Sequence, residues 1–285
     1  MGKDLNKPDR RLVPEMGGLA VILGFYVGIA VITTVAPFDV PGEILYASLS
    51  ACLGAGVVGL LDDMFGLRKR TKALVPFLLA LPLGAAVFRQ GDQSLLGLDL
   101  GILIVFVVAV GVTSAANAAN MLEGLNGLGA GLGLIIAVSL IALSALLGGS
   151  EGLFLLFPLA GALVAFLGFN RYPARVFPGD SMTLFSGAAL ASAAIISTPP
   201  MKTIGAILFA PMIVEFLLKA RGRFQGENYG TLDEDGRLRY EGRIESLVHA
   251  VMRWRRLREW QVVAILWGLE AAVCLAVIVA VVVMR

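Results

Sequence analysis

The sequence predicts an all-α polytopic membrane protein of about nine transmembrane helices, with its polar clusters gathered on one face. Three observations predict it. Hydrophobic residues fill 58% of the 285 positions and charged residues only 15%, whereas a soluble domain carries about 25% charged residues. Mean hydropathy is +0.84. Apolar runs recur at about the 20-residue length that crosses a bilayer.

The runs fall at 17–36, 42–61, 73–88, 101–119, 128–148, 152–169, 182–198, 203–219 and 260–284. Each is expected to be a helix, because backbone exposed to lipid must satisfy its own hydrogen bonds. Glycines are dense in them, as at Gly54, Gly56 and Gly59 or at Gly129, Gly131 and Gly133, and small residues let helices approach closely in lipid. Cys52 and Cys274 lie inside apolar runs and read as small buried hydrophobes. The opening segment, MGKDLNKPDRRLVPEMGG, is polar and basic, so no cleavable signal is expected. No repeat or Cys/His metal spacing stands out.

The net charge of +2 says little alone; its placement says more. With residues 1–16 in the cytoplasm and spans alternating, all but Arg89, Lys202 and Arg285 of the 23 basic residues fall on the cytoplasmic side. The positive-inside rule therefore sets the orientation. Asp62-Asp63, the Asn117–Asn126 segment, Gly179-Asp180 and the 220–259 loop all then share that face. Within the loop, residues 229–240 read as a small β-hairpin turning at Asp235-Gly236. Residues 244–258 read as a basic amphipathic helix, either lying against anionic headgroups or covering a substrate.

Four clusters carry candidate chemistry. Asp62-Asp63 ends the second run, followed by Arg68, Arg70 and Lys72. The pair would cap the next helix and neutralise the arginines, or else serve a metal and a phosphate. Adjacent helical side chains point about 100° apart, so the pair can address two partners. Lys72 lies on a bearing similar to that of Asp63 and suits the opposite end of a phosphate–metal site. In NAANMLEGLNGL (117–128), Asn117, Asn120, Glu123 and Asn126 recur every three residues and stripe one helix face. Amide and carboxylate oxygens are hard ligands suited to Mg²⁺, although Asn in a membrane helix also serves as interhelical glue. In Phe177-Pro178-Gly179-Asp180-Ser181, Asp180 is placed to cap a helix, to bind a metal, or both. Glu15, before Gly17-Gly18, is placed to pair with Lys72 or another cation. His249 reads as a packed or solvated histidine. Glu215 and Glu270 are intramembrane carboxylates and so candidates for function. Glu270, far from the clusters, is assigned to helix packing or a dimer contact.

The Asp-Asp pair, the N-x-x-N-x-x-x-G-x-N-G-L segment and the G-D-S turn resemble the polyprenyl-phosphate N-acetylhexosamine-1-phosphate transferase superfamily. KDLNKPDRRLVPEMGG, DDMFGLRKRTK and GLNGL resemble its dolichyl branch, over about residues 3–220. The resemblance implies one membrane-embedded transferase domain over 1–285, with 220–259 as a cytoplasmic loop within it. It implies transfer of a HexNAc-1-phosphate, GlcNAc-1-phosphate first, from a UDP-sugar to a polyprenyl or dolichyl phosphate, releasing UMP. It implies Mg²⁺, with Mn²⁺ as a substitute, held by Asn120 and Asp180. Lys72 would hold the lipid phosphate, and Asp62 and Asp63 would position or deprotonate it. Gly124 and Asn126 would lie against uracil. Asn117 would contact substrate, Glu15 would support the lipid-phosphate site, and Arg221 and Arg223 would reach the pyrophosphate. The role of Glu123 is open. The family's first helix precedes KDLNK, so nine spans are expected here where the family has ten, through a truncated start or a missing helix.

Expected partners are the UDP-sugar, the lipid phosphate, membrane lipid and a second copy of the chain, with no nucleic acid. The expected location is the plasma membrane of an archaeon, with the site cytoplasmic and N-glycan assembly as the pathway. An undecaprenyl-phosphate transferase for surface polysaccharide is the alternative. A transporter would place polar groups at the midplane, a CDP-alcohol phosphotransferase would show D-x-x-D-G-x-x-A-R, and a scaffold would not gather four clusters on one face.

Overall fold

The computed structural model describes residues 1–7, 11–35 and 40–285. Arg10, counted with the basic opening segment, and residue 36, the expected end of the first span, lie outside the described residues. Among the described residues, eight helices are long and apolar enough to cross a membrane. They are α1 (Gly18–Val35), α2 (Gly42–Phe65), α3 (Lys69–Arg89), α4 (Ile104–Met121, entered through a 3₁₀ turn at Gly101–Leu103), α5 (Leu128–Leu147), α6 (Leu153–Asn170), α7 (Gly179–Ile196) and α11 (Glu259–Val283). Outward faces such as Leu23, Val27 and Val31 of α1, or Leu275, Val279 and Val282 of α11, are exposed and apolar. Such faces suit lipid and not water; the chain is an integral membrane protein.

The ninth expected span, 203–219, differs. It is two helices, α8 (Pro199–Leu208) and α9 (Ala210–Arg221), bent by 54° at Phe209. Pro211 is the cause. It offers no N–H to the carbonyl four residues back, and its ring clashes there. Three short antiparallel strand pairs occur among the described residues: β1 (Gly2–Lys3) with β2 (Leu12–Val13), β3 (Ser94–Leu95) with β4 (Leu98–Asp99), and β5 (Thr231–Leu232) with β6 (Leu238–Arg239). The third is the hairpin expected at Asp235-Gly236, where Gly236 takes φ 70°. The expected 244–258 helix is only Leu247–Trp254 (α10), capped by the Ser246 hydroxyl on Val248 N–H. It stops because Leu257 is bridged to the hairpin instead, Leu238 N–H donating to Leu257 O at 2.7 Å.

The central element is α7, buried at every residue from Ser181 to Ala194. Its run of Gly, Ala and Ser lets α1, α2, α4 and α6 pack against it at once. α3 fills the groove between α2 and α4, α6 backs α1, and α5 with α11 closes the other side. Glu270 of α11 is fully buried within the chain, with the Cys274 thiol on one carboxylate oxygen. It is a packing residue and presents nothing to a second copy, which corrects the dimer-contact alternative.

One of the closest backbone approaches, matched at Gly18 and Gly84, is at Gly59 of α2. A Cβ there would sit 2.3 Å from Asp180 O and 2.6 Å from Ser181 Cα. Backbone cannot swing aside as a side chain can. Gly59→Ala is therefore expected to destabilise the protein by about 1–3 kcal/mol through overpacking. Gly161→Ala, where nothing lies within 4 Å of the new methyl, serves as the neutral comparison. Thermal melts of both variants in detergent check this, and equal midpoints would refute it.

Candidate active site

The site is assembled at the start of α7. α2 runs up to Phe65, where Gly66 in the left-handed region (φ 65°) ends it. Asp62 and Asp63 thus lie on its last turn and diverge as helical neighbours must. Asp63 turns to α7. Its Oδ1 accepts from Asp180 N–H at 2.7 Å and its Oδ2 from Ser181 N–H at 3.1 Å. This is helix capping supplied from another helix: a carboxylate on N–H groups that have no partner within α7, at the positive end of its dipole. Asp180 is not the cap residue. It lies inside the first turn, and its side chain is free for other work.

Asp62 turns the other way. Its Oδ2 accepts from Lys72 Nζ at 2.7 Å, and its Oδ1 from Leu67 N–H at 2.6 Å. Lys72, on α3, also donates to Asp180 Oδ2 at 2.8 Å. Asn120 of α4 donates its amide N–H to the same Asp180 oxygen at 3.0 Å, and Thr183 Oγ1 donates to Asn120 Oδ1 at 2.9 Å. Four helices thus deliver two carboxylates, one ammonium and one amide to a single point. One ammonium against two carboxylates leaves a net negative charge there, with hard oxygen donors from Asp62, Asp180 and Asn120. No group of three acidic, histidine or cysteine ligands occurs among the described residues.

From this cluster a cavity of about 1170 Å³ runs along the bundle. Its polar end is lined by Lys69, Lys72, Asn120, Glu123, Asp180 and Lys219. Beyond it the walls are apolar, with Val108 of α4, Ala191 and Ile195 of α7, Ala206 of α8, and Ile213 and Phe216 of α9. A charged end opening into an apolar channel suits a molecule with an anionic head and a hydrocarbon tail.

The profile of glycosyl transferase family 4 matches residues 45–198, which contain the whole four-helix cluster. The chain belongs to glycosyl transferase family 4. A protein of Saccharolobus solfataricus is 39% identical over 95% of this chain and 85% of its own length. It bears the provisional name UDP-N-acetylglucosamine–dolichyl-phosphate N-acetylglucosaminephosphotransferase. The Schizosaccharomyces pombe enzyme with that name is 27% identical over 76% of this chain and 59% of its own. A decaprenyl-phosphate N-acetylglucosaminephosphotransferase of Mycobacterium tuberculosis is 34% identical over 66% and 51%.

Within this family 4 chain the structure gathers Asp62, Asp63, Lys72, Asn120 and Asp180; Asn117 also lines the cavity, and the other candidate residues meet partners within the protein. Lys72 does not share a helix with the aspartates, because Gly66 breaks the chain between them; it pairs with Asp62 and Asp180 directly. Asn117 donates its amide N–H to Thr113 O and to Lys72 O, at 2.9 and 3.2 Å, tying α4 to the backbone of Lys72. Glu15 meets the Met1 amino group at 3.3 Å and not Lys72. Asn126 is buried in a polar knot. Its N–H reaches Glu259, its amide reaches Asp4, and Lys7 bridges Asp4 and Glu259. Arg221 is tied to Ile244 O. Neither it nor Arg223, held at φ 55° beside Phe224 at φ 57°, lines the cavity, where Lys69 and Arg70 stand instead. Glu215 accepts from Leu247 N–H and Ser246 Oγ at the start of α10. His249 is a packed histidine, its ring stacked at 3.7 Å on Tyr240 and its pKa lowered by burial.

The residue that sequence reasoning missed is Asn228. Its amide N–H groups donate to Met121 O at 2.7 Å and Glu123 O at 2.6 Å, carbonyls that α4 leaves open as it ends. Lys219 Nζ grips its Oδ1 and also Gly226 O, and Lys69 Nζ grips Phe224 O. The 224–228 stretch is thereby laid over the mouth, the covering reading of the loop. Gly124, at φ 151°, sits beneath it, where a Cβ would lie 2.8 Å from that of Asn228, so it is covered and does not face the cavity. Only an alignment of loop with helix end, which spacing does not give, would have marked Asn228.

Glu123 is a further polar group of the mouth. One carboxylate oxygen is buried without a partner, and burial pushes its pKa from the ordinary 4.5 up to about 7. A carboxyl raised in the folded state contributes stability that is complete below about pH 4.5 and is lost as pH rises through 7. A shift of that size amounts to about 3 kcal/mol. The thermal midpoint of the wild type is therefore expected to fall relative to that of Glu123→Gln between pH 5 and pH 8. Parallel midpoints across that range would refute it.

Proposed function

We propose that this chain transfers N-acetylglucosamine-1-phosphate from UDP-N-acetylglucosamine to a polyprenyl phosphate of the dolichyl type, giving the pyrophosphate-linked lipid sugar and UMP. One observation carries the reading: the apolar channel opens at the Lys72–Asp62–Asp180 cluster. A phosphate head and its hydrocarbon tail are thus served by one continuous site. The names of the Saccharolobus solfataricus and Schizosaccharomyces pombe relatives support the same donor and acceptor.

In the reaction an oxygen of the lipid phosphate attacks the β-phosphorus. The bond from that phosphorus to the bridging oxygen breaks, and UMP leaves with the electron pair. Phosphoryl transfer of this kind asks for alignment and charge neutralisation more than for covalent help. A phosphate monoester, with second pKa about 6, is already largely dianionic at neutral pH, so a strong base is dispensable. Lys72 holds the acceptor phosphate. Asp62 orients the ammonium, Asn117 fixes its backbone, and Asp63 acts at one remove by fixing the start of α7 and with it Asp180. Lys69 and Arg70, which line the cavity where Arg221 and Arg223 do not, take the pyrophosphate contacts.

Asp180, Asp62 and the amide oxygen of Asn120 would hold Mg²⁺, or Mn²⁺ in its place. The cluster's hard oxygens and net negative charge fit a divalent cation. For Asn120 to present oxygen, its amide must turn over from its bonds to Asp180 and Thr183. When bound, the ion supplies neutralisation of pyrophosphate charge. The placement of basic residues supports a site on the cytoplasmic side, and the reading is of an archaeal plasma membrane and the first membrane step of N-glycan assembly.

Purified protein given UDP-N-acetylglucosamine, dolichyl phosphate and Mg²⁺ is expected to release UMP and form the glycolipid, and EDTA is expected to stop both. Absence of UMP with every UDP-HexNAc and with either dolichyl or undecaprenyl phosphate would refute the reading. Asp180→Asn is expected to cost at least about 100-fold in turnover; ordinary activity at ordinary Mg²⁺ would remove Asp180 from the metal. Lys72→Ala is expected to act chiefly on use of the lipid phosphate. An effect confined to the KM for UDP-sugar would move Lys72 to the other substrate.

A further inference from the structure

The far end of the apolar channel is closed by a feature that the chemistry above does not use. Along α4 the channel is lined from Asn120 to Ile104, 16 residues or about 24 Å at 1.5 Å per residue. This is most of a hydrocarbon core thickness. At its end stands Lys202, at the start of α8, whose side chain is only 3% exposed. Its Nζ meets Asp92 Oδ2 at 2.5 Å and Asp92 O at 3.1 Å. Asp92 belongs to the connection between α3 and α4. That connection folds β3 against α8 and inserts Leu95 into the channel wall.

A lysine that merely tied down a surface loop would keep its stem outside the channel. Lys202 instead lines it. The second carboxylate oxygen of Asp92 is buried without a partner, a costly arrangement. The bond to Lys202 holds Asp92 there. Apolar chain entering from the phosphate end meets mainly methyl and methylene groups, with the hydroxyls of Thr113 and Ser114 among them, until it reaches this ion pair. The Lys202 ammonium is buried and paired with a carboxylate that is only partly exposed; such a pair gains nothing from hydrocarbon, and leaving the buried ammonium unpaired is expensive. Whatever chain remains must leave the channel sideways.

We propose that the Lys202–Asp92 pair, with Leu95, terminates the acceptor channel and so sets how much of the acceptor's hydrocarbon the protein recognises. The proposal rests on the reading of the site as a polyprenyl-phosphate transferase. Apparent affinity for the acceptor then rises with each added isoprene unit until the channel is filled, and levels beyond that length.

The test is the KM for polyprenyl monophosphates of increasing isoprene number, measured in one detergent at saturating UDP-N-acetylglucosamine. Wild-type protein is expected to show a break between a falling and a level region. Two kinds of change are expected to move it in opposite directions. Lys202→Met combined with Asp92→Asn removes both charges together, leaves none unpaired, and frees the connection; the break moves to longer acceptors by at least one unit. Leu95→Trp fills the end from a half-buried position; the break moves to shorter acceptors. A merely structural role would change the amount of folded protein and leave the break in place. A break at the same length in all three proteins overturns the proposal, as does a KM that falls without levelling in the wild type. Turnover with no acceptor of any length overturns both this proposal and the reading on which it rests.

Discussion

Two N–H groups at the start of a buried helix need an acceptor, and Asp63 supplies it. α7 is enclosed by its neighbours from Ser181 onward and its first turn is part-buried, so an open helix end would be costly there. By taking Asp180 N–H and Ser181 N–H, Asp63 locks α2 to α7 in both distance and rotation. Gly59, one turn earlier, lets the two backbones close to that distance. Everything at the site follows from this. With α7 fixed, Asp180 projects toward α3 and α4, where Lys72 and Asn120 wait. The pair that looks redundant in sequence is a division of labour: one aspartate builds, the other faces the chemistry.

The polar groups around this point form nested supports. Thr183 steadies Asn120, Asn117 steadies the backbone of Lys72, and Asn228 closes the end of α4 while laying the loop across the mouth. Each is a local hydrogen bond of modest net strength. Their joint effect is positional, because a phosphate-transfer site is judged by tenths of an ångström. The apolar channel adds the other half of recognition without any directional bond.

Much of this was legible in the sequence. The spans were readable because lipid imposes length and composition on any helix that crosses it. The Asp235-Gly236 hairpin was readable because its turn is a two-residue matter. Asp62, Asp63, Asn120 and Asp180 were readable as polar residues with no reason to be in apolar surroundings. What failed was whatever depended on a partner distant in sequence. The bearing of Lys72 was misread because Gly66 ends α2 first. The glycine was visible, but the break depends on the capping it accepts. The contacts of Asn126 with Asp4 and Glu259, and of Glu15 with the Met1 amino group, join segments that spacing does not bring together. Asn228, in a loop with little pattern, gave no sign of its reach to α4.

The saturation of the two aspartates has a stereochemical consequence. Asp63 has both oxygens on backbone N–H groups of α7, and Asp62 has one on Lys72 and the other on Leu67 N–H. A carboxylate so engaged is stabilised as an anion and blunted as a nucleophile, while the second lone pair of each oxygen leaves Asp62 able to meet a cation. The arrangement therefore favours one displacement over two. A single in-line displacement inverts the configuration at phosphorus, whereas passage through an acyl phosphate would restore it. The handedness of an isotopically chiral β-phosphorus after transfer is thus written in the hydrogen bonds of two side chains that need never touch it.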